Sequence, residues 1–403
     1  MIKHIIDTTL KIMEGTLPYQ VFTKELSQSA DFKEEEKQVI RTLVNGLLNR
    51  YFRYYYSLTC GGGVTLSKVE VLALSLFSFN IEKNVMKMSY EDLISALPTD
   101  VQIKLERDYP PTSFPIKIPA FDRNEDLALS YAARFSVPFY LIEQLINDVG
   151  KKNILKFLSK RPQDLTGLIN ESLITSEQFF SENKDFVKAD KPNQFIYQGA
   201  DFIKKTAVYG DNKIILSSQS LLDIADVIRH INPKSMLFVQ HEDTSLILLI
   251  SILYPQIAIH YTAVDAKSKF ILQHLVRKFN LKNVTYVNHI AQTYDLVMTT
   301  LSSSNVNGNI RHRDFYFRLP EDLSIFAEKS KNELSAIKDY VNEKGSLIFT
   351  VTTALRAETH YQALSFIHEN PEFILEREKQ FYHFNELHET VYYALFKKGS
   401  NDN

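Results

Sequence analysis

Thiol chemistry has one place to occur in this sequence, Cys60, which is followed by Gly61-Gly62-Gly63. A lone cysteine builds neither a disulfide framework nor a thiolate metal site, and it fits a reducing cytoplasm. A triple glycine can cradle phosphate, but no strand precedes this one and no Gly-Lys-Ser/Thr follows, so it reads as a loop. His383 and His388 stand beside Glu386 and Glu389, but not in the His-Glu-x-x-His order that places two imidazoles on one metal, so no metal is expected. No Gly-x-Ser-x-Gly nucleophile turn occurs. Three basic groups remain. Arg41, Arg50 and Arg53 lie among Tyr51, Phe52, Tyr54, Tyr55 and Tyr56. That interleaving suits phosphate pairing with base stacking, and equally an amphipathic helix with core tyrosines and solvated arginines. Lys151, Lys152, Lys156, Lys160 and Arg161 form one basic helix face, which is either solvated or turned to RNA. Arg311, Arg313 and Arg318 precede Glu321 and Asp322, available as RNA contacts or as ion-pair partners.

The elements that must position these residues follow from hydrophobic spacing. Ile5, Leu10, Ile12 and Met13, then Val39, Leu43 and Leu47, then Val69, Val71, Leu72, Leu74 and Leu76 recur at helical intervals, so residues 5–97 read as helical. Glu34-Glu35-Glu36 supplies the acidic first turn that favours a helix start. Pro98, Pro110, Pro111, Pro115 and Pro119 then interrupt regular structure and mark a linker. Residues 127–170 read as helical again, and a mixed stretch runs to about 209. From about 211 the pattern changes. Helices at 219–231, 245–254, 267–279, 320–341 and 360–369 alternate with strands at 236–239, 258–264, 284–287, 296–299, 346–351, 373–376 and 391–396. Such alternation predicts a parallel sheet wrapped by helices. The expected division is 1–98 helical, 99–125 linker, 126–210 connecting and 211–403 Rossmann-like.

With 403 residues and 44% hydrophobic content, the chain can bury more than one core. Its formal charge of −2 announces no global field for nucleic acid, which leaves local patches. The opening residues lack a long apolar run, so no signal peptide is expected. The most apolar stretch, 245–254, is short of the about 20 residues that span a bilayer.

Five stretches occur in an order that resembles the bacterial ribosomal-RNA cytosine-5 methyltransferases of the Sun type. The segment from Glu36-Lys37-Gln38-Val39 through Leu47-Leu48-Asn49-Arg50 resembles their NusB-type signature. Residues 130–170, with Pro138, Gly150 and Arg161-Pro162, resemble their connecting helices. Val264-Asp265, then Leu275, Phe279 and Leu281-Lys282-Asn283-Val284, resembles their second strand and the helix after it. Arg311-His312-Arg313-Asp314 with Arg318 and Pro320-Glu321-Asp322 resembles the segment after their catalytic loop. Lys344-Gly345-Ser346-Leu347-Ile348-Phe349 with Asn370-Pro371-Glu372-Phe373 resembles their closing strand and helix. The resemblance implies an N-terminal all-helical NusB-like domain, a small connecting domain and a C-terminal Rossmann-like class I methyltransferase fold, an α plus α/β chain. It also implies RNA, ribosomal above all, as partner, with a protein partner for the helical domain as a further option.

The departures from that family bear on chemistry. The cytosine carbon that accepts the methyl group is not nucleophilic, so the family attacks the neighbouring carbon with a cysteine thiolate and uses a second cysteine for release. Here Thr352 stands at the nucleophile position and Ser303 at the second, with Thr300 where the loop's aspartate would be. Serine and threonine hydroxyls do not ionise near neutrality as thiols can. The loop that would approach S-adenosylmethionine, Gln240-His241-Glu242-Asp243-Thr244-Ser245, contains no glycine. Asp265 alone keeps the strand-end position that the resemblance assigns to ribose hydroxyls. S-adenosylmethionine is thus the one cofactor implied, and the glycine-free loop argues that none is bound. The expectation is an RNA-binding protein that has lost catalysis. An S-adenosylmethionine-dependent RNA methyltransferase with a changed acceptor and a protein-interaction module stand as alternatives.

Overall fold

The computed structural model describes residues 1–60, 65–117, 126–159, 165–190, 193–240, 245–263, 266–304, 306, 317, 320–382 and 390–399. They fall into two compact units, Met1–Ile154 with Ile310–Asp322, and Leu155–Asn309 with Leu323–Asn403.

The first unit is helical. Its longest helix, Glu34–Thr59, starts on the acidic turn read from the sequence, with the Glu36 carboxylate accepting the Lys33 N–H at 2.8 Å. Ile40, Leu43, Leu47 and Tyr54 recur along one face of it and are buried. They meet the helix Lys68–Lys83, whose Ser67 and Glu70 form a reciprocal cap. Gly46 lets the two helices close, since a Cβ there would sit 2.3 Å from the Phe79 ring.

The proline-rich stretch corrects the sequence expectation. Thr99–Asp108 is a helix between Pro98, which caps it, and Tyr109, just before Pro110. Proline flanks a helix without cost where no intrahelical N–H is needed, and Val101 and Leu105 join the same core. Helices Leu127–Phe135, Phe139–Val149 and Lys151–Ser159 follow as expected.

The second unit, which begins within the helix Lys151–Ser159, holds a small antiparallel sheet of order β2-β3-β1-β4. Its strands are β1 (Leu165–Ile169), β2 (Phe186–Lys188), β3 (Gln194–Tyr197) and β4 (Ile214–Leu216). β1 lies where the sequence reads as helical. It is short and contains Gly167, whose missing Cβ would stand 2.2 Å from the Ile215 carbonyl oxygen, so the close approach of β4 dictates a residue that weakens the strand pattern.

The larger sheet holds β5 (Ser235–Gln240), β6 (Ala258–Ala263), β7 (Val284–Tyr286), β8 (Tyr294–Thr300), β9 (Val341–Val351), β10 (Phe373–Phe381) and β11 (Val391–Lys398). Its order is β10-β11-β9-β8-β5-β6-β7. The pairs among β5 to β9 are parallel, and β11 runs antiparallel to both neighbours. The central strands are apolar runs because helices cover both faces. The chain winds outward in opposite directions from β5 and β8, a switch point whose carboxyl edge is the expected ligand position in such sheets. At the opposite end, Asp295 pins β8 to its neighbours. Burial alone would raise its carboxyl, yet the N–H groups of Ser235 and Lys234, the Ser235 hydroxyl and the Asn342 amide hold it below the ordinary range.

Candidate functional site

Adjacent parallel strands deliver their loops to the same edge, and this brings the two strand-end positions singled out in the sequence together. Thr300 of β8 pairs with Thr350 of β9. The Leu301 N–H continues the ladder to the Thr350 carbonyl at 2.8 Å. One step on, the Ser303 hydroxyl donates to the Thr352 carbonyl oxygen at 3.3 Å. Ser303 is buried and Thr352 half-buried.

Two carboxylates hold the row of serines in place. Glu333, on the helix Pro320–Ser335, accepts the Ser302 N–H at 2.8 Å and the Ser302 hydroxyl at 2.6 Å. One turn earlier on that helix, the Ser330 hydroxyl donates to the Ser302 carbonyl at 2.6 Å. Glu358 is fully buried and accepts the Ser304 N–H at 2.7 Å together with the Ser304 hydroxyl. Charge-assisted hydrogen bonds of this kind compensate the desolvation of a buried carboxylate and fix the loop that supplies the donors. The Gln380 amide of β10 adds a bond to the Thr353 carbonyl at 3.1 Å.

A second polar group lies along β10. His360 Nδ1 is 2.8 Å from Glu378 Oε1, and the Tyr392 hydroxyl donates to the same carboxylate. Burial and the Glu378 carboxylate push the Tyr392 hydroxyl far above the ordinary phenol range, so it stays protonated and donates to that carboxylate. The carboxylates Glu333, Glu358 and Glu378 carry no local motif; their partners lie elsewhere in the sequence.

Chemically, the arrangement places hydroxyls where the resemblance requires thiols. The chain's one thiol, Cys60, is exposed in the first unit. Between Thr300, Thr350, Thr352 and the apolar Leu221, Leu246 and Val391 lies a cavity of about 20 Å³. That is room for about one water, against the roughly 300 Å³ and more of pockets for larger ligands.

The other sequence candidates fall as follows. Asp265, Lys160, Arg161, Arg311, Arg313, Arg318, His383, Glu386, His388 and Glu389, with the 241–244 loop and Gly61–Gly63, lie outside the described residues. Arg41 is half-buried. Arg50 lies over the Phe79 ring at 4.7 Å and pairs with Glu82 at 2.8 Å; Glu82 also accepts the Tyr54 hydroxyl at 3.0 Å. Arg53 has a buried Nε without a hydrogen-bond partner, and its backbone N–H donates to the Ser136 hydroxyl. Tyr51, Tyr54 and Tyr56 are core residues, and Phe52 stacks on Phe317 with ring centroids 5.1 Å apart. Lys151, Lys152 and Lys156 are exposed on a helix that buries Ile154, Phe157 and Leu158. Among the described residues, no group of three or more His, Cys, Asp or Glu could hold a metal ion, and no helix is long and apolar enough to cross a membrane.

A helical N-terminal part and a seven-stranded mixed sheet with this strand order define a Rossmann-like methyltransferase fold. The protein PH0851 is similar over 99% of both chains, with a TM-score of 0.63 and 15% identity. NSun6 from Pyrococcus horikoshii, in a structure with SFG, matches at a TM-score of 0.55 and 10% identity over 64% of this chain and 97% of its own. A methyltransferase homolog protein from Pyrococcus horikoshii matches at 0.54 and 11% over 68% and 99%. At these identities the likeness is one of fold. No protein-family profile matches the chain, and no curated protein matches it in sequence.

Proposed function

We propose that this chain is an RNA-binding protein on a methyltransferase scaffold that grips RNA without methylating it, with ribosomal RNA or an assembling ribosomal subunit as its target. In this reading the helical first unit is NusB-like and contributes to RNA binding. The observation that carries the proposal is the pair of strand-end positions. Ser303 and Thr352 meet at the carboxyl edge as hydroxyl residues, with the Ser303 hydroxyl 3.3 Å from the Thr352 carbonyl oxygen. A covalent attack on a pyrimidine needs a nucleophile that ionises near neutral pH. Glu333 and Glu358 support the same reading, since both are engaged in holding the serine loop. The glycine-free segment 240–245 supports a role that needs no S-adenosylmethionine.

What the residues of this edge do is hold shape. The chain after β8 is tied at Ser302 and Ser304, and the segment after β9 is tied to β10 through Gln380. Ser302–Ser304 are held as structure, and in this reading they make and break no bonds. Ultraviolet crosslinking in cells followed by sequencing of the RNA recovered with the chain tests the proposal. Enrichment of ribosomal RNA is expected. Recovery of no RNA above an untagged control overturns it.

A further inference from the structure

Residues 266–294 contain no Asp or Glu, yet they carry Lys267, Lys269, Arg277, Lys278 and Lys282. In a chain with 48 acidic and 46 basic residues, a run of this length with only cations makes a local positive field. The helix Ala266–Lys278 occupies its first half. Leu272 turns into the core beneath β6 and β7, while Phe270, His274 and Arg277, spaced four and three residues apart, share the outer face. Phe270 is 72% exposed, the most exposed of the large apolar side chains among the described residues. Arg277, Lys278 and Lys282 are exposed beside it. Two of its cations meet rings: Lys269 lies over Tyr286 at 4.2 Å and reaches the Asn288 amide oxygen, and Lys278 lies 5.6 Å from the Phe279 ring.

An outward aromatic ring beside the exposed Ile271 offers a flat apolar face that a partner can cover. The charge around it selects an anionic cover, and a flat π-face flanked by cations matches an unpaired base with its phosphates. A duplex keeps its bases stacked and offers no such face. From this we infer that the helix Ala266–Lys278 is a docking surface for single-stranded RNA, with Phe270 as the stacking platform and Arg277, Lys278 and Lys282 as phosphate contacts. The inference rests on the RNA-binding reading above and adds a surface on the second unit.

Fluorescence anisotropy of the full chain with a labelled short single-stranded RNA, across a salt series, tests it. Phe270→Ala is expected to weaken binding roughly tenfold, since each stacked base contributes on that order. Arg277→Glu with Lys278→Glu is expected to flatten the salt slope by about 1.4, two phosphate contacts of about 0.7 each. Lys184→Glu with Lys188→Glu makes the same charge change on another exposed patch of the unit and is expected to leave the slope nearly intact. Circular dichroism confirms folding, and Phe270→Ala alone carries the test if the charge-reversed protein does not fold. If the unaltered chain binds no RNA, the RNA reading itself fails. If it binds RNA and both helix variants bind equally well, the inference fails while that reading stands. Sedimentation showing a self-associated chain that Phe270→Ala makes monomeric, with RNA affinity unchanged, assigns the face to a second copy and overturns the inference.

Discussion

Two helices of this chain carry cations among aromatic rings, and they use them in opposite ways. In Glu34–Thr59, Arg50 is folded over Phe79 and paired with Glu82, and the neighbouring tyrosines are core. In Ala266–Lys278, Phe270 faces outward and the cations around it have no acidic residue in their own stretch of chain. The residue vocabulary is the same. What separates a structural arginine from a recognition surface is the supply of acid partners and the side on which the ring lies. A cation that finds a carboxylate inside its unit is consumed by the fold, and one that finds none stays available to an anion from outside.

The comparison can be broken or sharpened by substitution. The largest effect is expected at Gly46. A side chain there collides with Phe79, the ring beneath Arg50, so Gly46→Val is expected to destabilise the chain by about 3 kcal/mol in urea unfolding. A loss below about 1 kcal/mol would show that the ring can move and that Arg50 is not held. Next, Glu82→Ala removes the acceptor of both Arg50 and the Tyr54 hydroxyl, with an expected cost of about 2 kcal/mol. A gain in RNA affinity in the same variant would show that Arg50 is freed for recognition.

The tyrosines of this helix give a pH test. Burial pushes the Tyr56 hydroxyl up to about 12, even though it accepts the Phe139 N–H at 2.7 Å. A raised folded value means that the stabilisation is complete below the unfolded tyrosine pKa near 10 and is lost as pH rises toward about 12. Absorbance titration should show a late phase, and Tyr56→Phe should reduce it by one tyrosine at a cost of about 1 kcal/mol. Ionisation of every tyrosine near 10 would contradict the buried arrangement. The smallest effect belongs to the other helix. Phe270→Ala is expected to change stability by no more than about 0.5 kcal/mol, as an exposed ring should, and a larger loss would mark it as packing.

Much of the Rossmann-like unit was legible from sequence because buried parallel strands and amphipathic helices leave opposite periodicities. The helix Gln219–Ile231 matches its expected bounds, and the seven strands of the large sheet lie where apolar runs predict them. The helix expected over 320–341 ends at Ser335, because Val341 already begins β9 and the short turn at Lys338–Tyr340 joins the two. β1 was hidden by Gly167, and the helix Thr99–Asp108 by the prolines that flank it. Ser303 and Thr352 could be singled out through the resemblance, but their carboxylate neighbours could not. Glu333 lies 31 residues from Ser302, and Glu358 lies 54 from Ser304. Arg50 is likewise separated from Glu82 by 32 residues. Pairings of that range are made by tertiary folding and leave no local pattern, which is also why the aromatic-rich arginine helix read as an RNA surface and a core helix alike.

The central claim is that this scaffold binds RNA and transfers no methyl group to it. The most direct measurement incubates the purified chain with ribosomal RNA and S-adenosylmethionine labelled in its methyl group, and follows retained RNA and incorporated label in the same samples. Retention that saturates with protein, with label no higher than in a sample lacking the chain, is the predicted result. Label that enters the RNA in proportion to protein and time would contradict it, and would show that an acceptor other than a thiol-activated carbon is methylated at this edge.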